Sequence, residues 1–181
     1  MKTRPLEIEE YKQIIELLNN GSGKLRAKPK MALALQLQAS LGLRIGDVLK
    51  LKVGNFKNGK LETKEKKTGK LQYREINRDV FDLIKDYAIE NKLSNDDKLF
   101  SFQIKTVQYN LRLISQKLEL ENISTHSFRK MFATSVYETN NHNLELVKEL
   151  LNHSSIATTQ RYIRVAQKEI NLASSRVNFM S

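Results

Sequence analysis

Apolar residues recur at helical spacing over most of this chain, and the interruptions divide it into elements. Ile8, Tyr11, Ile14, Ile15 and Leu18 form one stripe and predict a helix over residues 6–19. Its first turn is crowded by Glu7, Glu9 and Glu10, the charge that a helix N-terminus favours. Asn20-Gly21-Ser22-Gly23 stops it. Residues 29–41 are almost continuously apolar and predict a central helix ended by Gly42. Amphipathic patterns predict further helices over 78–91 and over 106–118, the latter with Val107, Leu111, Ile114 and Leu118 inward. Phe128, Phe132 and Val136 repeat at four-residue spacing in another helix that opens near His126. Leu146, Val147, Leu150 and Leu151 then lead to His153, and Ser154 or Ser155 caps the next helix, which carries Tyr162. Residues 163–181 read as weakly helical.

The stretch 56–76 breaks this rhythm. Asn58-Gly59 and Thr68-Gly69 are turn signals, and they bound two alternating strands over 60–66 and 70–76. A short extended piece is expected at 99–102. The pattern therefore predicts a mostly helical domain with a small antiparallel sheet.

Composition narrows the function. The 181 residues suit a single domain with a substantial core. A formal net charge of +11 favours a polyanionic partner, nucleic acid first. The chain has no cysteine, which excludes a disulfide framework and thiolate metal sites, and a reducing cytoplasm is the compartment it fits. His126, His142 and His153 lack metal-ligand spacing, so neither a metal nor a cofactor is expected. Gly21-Ser22-Gly23-Lys24 is not a phosphate loop: the wider spacing is missing, Leu25 stands where Ser or Thr belongs, and no strand precedes it. No apolar run is long enough to suggest a membrane span.

Candidate chemistry concentrates in residues 125–162. His126 and Arg129, three apart, share one helix face, so the helix is expected to be anchored by its phenylalanines and to present a cationic pair in front. Such a pair, a second histidine and a tyrosine at a helix end suit transfer of a phosphodiester to the phenol. Arginines bind the non-bridging oxygens through two parallel hydrogen bonds, and histidines donate to the same oxygens or carry the phenol proton. The leaving sugar oxygen requires an acid.

At His126-Ser127-Phe128-Arg129, Leu151-Asn152-His153-Ser154-Ser155 and Tyr162 the chain resembles the catalytic domain of the tyrosine recombinase (phage integrase) family. Upstream, Leu43-Arg44-Ile45-Gly46-Asp47 is similar to that family's first-arginine motif, and Lys67-Thr68-Gly69-Lys70 to its lysine turn. Each motif alone is common, but six roles filled in the family's order are specific. Lys130, Asn152 and Asp47 depart from the residues that relatives often carry, His, Gly and Glu respectively.

The resemblance implies that Arg44, Lys67, His126, Arg129, His153 and Tyr162 are catalytic, with Asp47 supporting Arg44. Lys66 and Lys70 remain alternatives to Lys67 and are otherwise DNA contacts, as are Lys105 and Arg112. It implies strand cleavage and rejoining on double-stranded DNA through a 3′-phosphotyrosyl link, without metal or ATP. It also implies assembly as a tetramer on DNA and residence in a mobile element. Two other readings share the fold: a DNA-binding protein that does not cut, and a nicking-closing enzyme like the type IB topoisomerases. All of 1–181 is expected to be the catalytic domain, without the N-terminal core-binding domain of most relatives.

Overall fold

The computed structural model describes residues 3–64, 71–160, 162–163 and 174–176. These residues form eight α-helices and one three-stranded antiparallel sheet, the mostly helical domain with a small sheet that the hydrophobic pattern predicts. The first helix, α1 (Ile8–Asn20), begins two residues later than the apolar stripe suggests. The reason is local: the Glu10 carboxylate reaches back to the Glu7 backbone N–H at 3.0 Å and fixes the start, while Leu6 is buried ahead of it.

Helix α2 (Pro29–Leu41) opens on proline and ends at Gly42 in the left-handed conformation (φ 61°). It is buried nearly all round, with Leu33, Leu35, Leu37 and Leu41 in the core. The next turn, α3 (Ile45–Val48), is a single turn with Arg44 just ahead of it. Strands β1 (Phe56–Lys57), β2 (Lys60–Lys64) and β3 (Leu71–Glu75) run antiparallel in that order. β1 is an addition to the two strands read from alternation; it is only two residues long, too short to show a period. Asn58 and Gly59, both with positive φ, make the tight turn into β2.

Helix α4 (Arg78–Glu90) is capped by the Asn77 side chain. Helix α5 (Ile104–Lys117) starts two residues earlier than its polar lead suggests. Helix α6 (Thr125–Thr139) is capped by Ser124, whose hydroxyl accepts from the His126 N–H at 3.2 Å. Two short helices follow, α7 (Leu144–Leu151) and α8 (Ile156–Gln160). Most of the C-terminal stretch 163–181 lies outside the described residues.

Two apolar clusters result. The larger joins α1, α2, α4, α5 and the sheet to Phe128 at the start of α6. The smaller has Ala133, Val147 and Leu151 at its centre, with Phe132, Val136, Tyr137, Tyr162 and Ile163 packed round them. The α6 stripe thus divides between the two: Phe128 enters the main core, whereas Phe132 and Val136 belong to the satellite.

Candidate active site

Residues far apart in sequence meet where the end of α2 passes the first two turns of α6. Arg44, Asp47, His126 and Arg129 line one cavity of about 550 Å3, together with Gln38 and Lys50. Arg44 reaches it from the extended residue ahead of α3, and His126 and Arg129 from α6. Asp47 is buried at the cavity wall, 3.7 Å from the Lys50 ammonium.

Arg129 lines this cavity, yet only 1% of it is exposed. One terminal nitrogen donates to the Gly42 carbonyl and the other to the Leu151 carbonyl, both at 2.6 Å. These are C-terminal carbonyls of α2 and α7, which have no partner within their own helices. A guanidinium satisfies both while remaining at the cavity's edge. Burial of the charge is what the helix ends demand, and the sequence spacing shows the face but not the depth.

His153 follows α7 after Asn152, which holds the left-handed conformation (φ 51°) that ends the helix. Asparagine tolerates this region better than other non-glycine residues, so the departure from glycine is accommodated. The His153 ring is buried, and its Nδ1 lies 3.0 Å from the Thr159 hydroxyl. Its face meets the Tyr162 ring edge-on, with centroids 4.7 Å apart. The Lys130 ammonium sits 5.7 Å from the centre of the same tyrosine ring and donates to the Thr3 carbonyl at 2.5 Å. Of the two candidate caps, Ser155 serves α8, its hydroxyl accepting from the Thr158 N–H.

The electrostatics follow from this packing. Burial, then the charges of Arg129 and Arg44, push His153 down to about 4, so its imidazole is neutral at physiological pH. Desolvation at the cavity wall, then Arg129, Lys130 and Arg44, lower His126 in the same direction. Both rings are therefore neutral hydrogen-bonding groups in a cationic surrounding, an arrangement suited to an anion rather than to a metal ion. Among the described residues no group of carboxylates and histidines has metal-site geometry.

The structure brings Arg44, Asp47, His126 and Arg129 round one cavity and sets His153 against Tyr162 on the α7–α8 side. Lys66, Lys67 and Lys70 lie outside the described residues. Lys105 and Arg112 are exposed on α5 and do not line the first cavity, although Ile104 and Gln108 of that helix do; Arg112 lines a neighbouring one of about 710 Å3. Sequence reasoning passed over Gln38, a buried polar residue in an apolar helix that donates to the Leu43 carbonyl at 3.3 Å. It also passed over Thr159 and Arg74; only Gln38 leaves a signal in the pattern, as a polar residue within an apolar run.

Comparison with known proteins identifies the family. Residues 4–169 match the phage integrase family. The tyrosine recombinase XerA of Pyrococcus furiosus is 30% identical over 99% of this chain, which spans 64% of that relative. A probable integrase/recombinase of Acholeplasma phage L2 is 31% identical over 92% of the chain, which spans 60% of it. The chain thus covers less than two thirds of either curated relative. Among solved structures, the catalytic domain of bacteriophage HP1 integrase superposes with a TM-score of 0.67 at 20% identity, covering 96% of this chain and 95% of that one. XerH recombinase bound to a palindromic difH substrate, in a post-cleavage complex, gives 0.77 at 23% identity over 95% of this chain and 52% of that one. At these identities the structures speak for the fold, and the family match over most of the length speaks for descent. The chain belongs to the phage integrase family, the tyrosine recombinases.

Proposed function

We propose that this chain is the catalytic domain of a site-specific DNA recombinase that cuts and rejoins strands through a 3′-phosphotyrosyl intermediate. The observation that carries the reading is the convergence of Arg44, His126 and Arg129 on one cavity, with His153 and Tyr162 in ring contact beside it. A DNA-binding surface needs cations, but it does not need a neutral, buried imidazole packed on a tyrosine.

In this reading Arg44 and Arg129 hold the non-bridging oxygens of the scissile phosphate. Asp47 supports the turn that carries Arg44. His126 donates to the phosphate. The neutral His153 ring, its Nδ1 paired with the Thr159 hydroxyl, offers its Nε2 to the phosphate or to the phenol. The Tyr162 oxygen attacks phosphorus, its proton passing to His126 or His153; the P–O bond to the 5′ oxygen breaks, and Lys67 protonates that oxygen, with Lys66 and Lys70 the alternatives for this role. Return of a 5′-hydroxyl from a partner strand reverses the step. Double-stranded DNA is the substrate, Lys105 and Arg112 are backbone contacts, and a tetramer on DNA in the cytoplasm is the working assembly. The XerH complex with its substrate, cited above for its shared fold, supports DNA as the partner.

The test uses supercoiled plasmid, and then a nicked suicide duplex, in EDTA with an SDS stop. Wild type should relax plasmid and form a protease-sensitive protein–DNA adduct, and Tyr162→Phe should bind DNA equally and form none. An adduct in Tyr162→Phe, or relaxation that needs added metal, rejects the mechanism. Lys67→Ala should slow cleavage by about 10²–10⁴-fold, the usual worth of a general acid. A substrate with sulfur in place of the 5′ oxygen should restore it, because a thiolate leaves without a proton.

A further inference from the structure

Arg129 is not the only arginine that holds the ends of α2 and α7 together. Arg74, on β3, reaches the same two helix ends from the sheet side. One of its terminal nitrogens donates to the Leu150 carbonyl at 3.3 Å and the other to the Leu41 carbonyl. The central carbon of its guanidinium lies over the Phe132 ring on α6, 5.6 Å from the ring centre. Arg129 takes Gly42 and Leu151; Arg74 takes Leu41 and Leu150. Four successive helix-end carbonyls, two on each helix, are thus divided between two forks, one on each side.

We infer that Arg74 is a positioning residue: with Arg129 it sets the spacing between the segment that carries Arg44 and the segment that carries His153. This rests on the function proposed above. Arg44 follows Gly42 by two residues and His153 follows Leu151 by two, so each active-site group hangs directly from a held carbonyl. Among the described residues the apolar face of α7 belongs to the satellite cluster and not to the main core. A single fork allows α7 to pivot about Arg129. A second fork one residue away on both helices removes that freedom. Only arginine provides two donors in a rigid plane, which also stacks on Phe132; lysine reaches one carbonyl.

The 181-residue chain serves for the test, with Arg74→Ala and Arg74→Lys compared to wild type by two readouts. The first is the NMR titration of the His153 ring, which faces Tyr162, Thr159, Arg129 and Arg44. Arg74 is not among the charges that hold this ring near 4, so a change in its midpoint reports geometry. The second is single-turnover cleavage of a suicide duplex at saturating DNA. In Arg74→Ala the midpoint should rise toward the ordinary 6.5, and cleavage should fall by about 10²-fold with DNA affinity unchanged, as misplacement of about 1 Å predicts. Arg74→Lys should fall between.

An unmoved His153 midpoint in Arg74→Ala overturns the proposal whatever the cleavage rate. So does a lysine variant that matches wild type in both readouts, and this variant decides the matter if the alanine chain does not fold. Should wild type itself fail to cleave, the proposed function fails, while the titration still decides whether Arg74 holds the two helix ends.

Discussion

The two halves of the site are supported very differently. Arg44, His126 and Arg129 stand on the large core: α2 is buried nearly all round, and Phe128, one residue before Arg129, is wholly inside, edge-on to Tyr11. His153 and Tyr162 stand on a satellite whose fully buried residues are Ala133, Val147 and Leu151. Buried apolar area is the main source of local stability, so the first half is rigid and the second is lightly held. What joins them, besides the continuous helix α6 that enters both clusters, is polar: arginine forks onto helix-end carbonyls. The part that receives a phosphate is therefore built in advance, and the part that carries the nucleophile is attached to it by a few directed bonds.

Removing the join should have the largest effect. Arg129→Ala leaves the Gly42 and Leu151 carbonyls buried without this donor, at about 1–3 kcal/mol each, and opens a large cavity. A loss of about 3–5 kcal/mol in urea-monitored stability is expected, the scale for breaking a buried charged network, together with loss of cleavage. A variant within 1 kcal/mol of wild type, on the order of a surface change, would mean that the forks do not join the halves.

Next come truncations within each half. Leu35→Ala in the main core and Leu151→Ala in the satellite each remove a fully buried leucine. Both fall in the range of about 2–5 kcal/mol, but the satellite can collapse round the gap and should lie near its lower end. Leu151→Ala should slow cleavage more than Leu35→Ala does, although it costs less stability. The reverse order would show that the nucleophile's placement depends on the main core.

The mildest perturbation is acid. His153 and His126 both titrate lower in the folded chain than their ordinary value, so the unfolded chain binds more protons between the two. Stability should be steady above about 6.5 and should decline as pH falls toward about 4. The satellite should loosen first, read from its amide exchange against that of α2. Uniform loosening of both halves would argue that the satellite is not a separate unit.

Much of this was visible in the amino-acid order. Helix stripes, the Asn58-Gly59 turn and the capping serine at 155 follow from periodicity and local chemistry, which act over a few residues. The grouping of Arg44 with His126 and Arg129 followed from family order, and in the structure all three line one cavity. What could not be seen is depth and partnership across long separations. Arg129 reads as a presented cation because helical spacing gives direction but not burial. Arg74 reads as one polar position in an alternating strand, because the carbonyls it meets lie 33 and 76 residues away. Gln38 and Thr159 are similar: their meaning lies in the backbone or ring beside them, which local pattern does not encode.

Gly42 has a consequence for how this sequence can drift. Its φ of 61° strains any other residue, and a Cβ there would lie 2.3 Å from the Phe132 ring. Its backbone cannot easily rotate away, since its carbonyl is held by Arg129. Three independent demands therefore meet at an atom that is not there. By contrast, a Cβ at Gly23 or Gly59 would meet nothing within 4 Å, leaving only the backbone preference. In a lineage of such chains Gly42 is a fixed point: change there requires simultaneous change at Phe132 and in the α2–α7 join, a step that single substitutions do not reach.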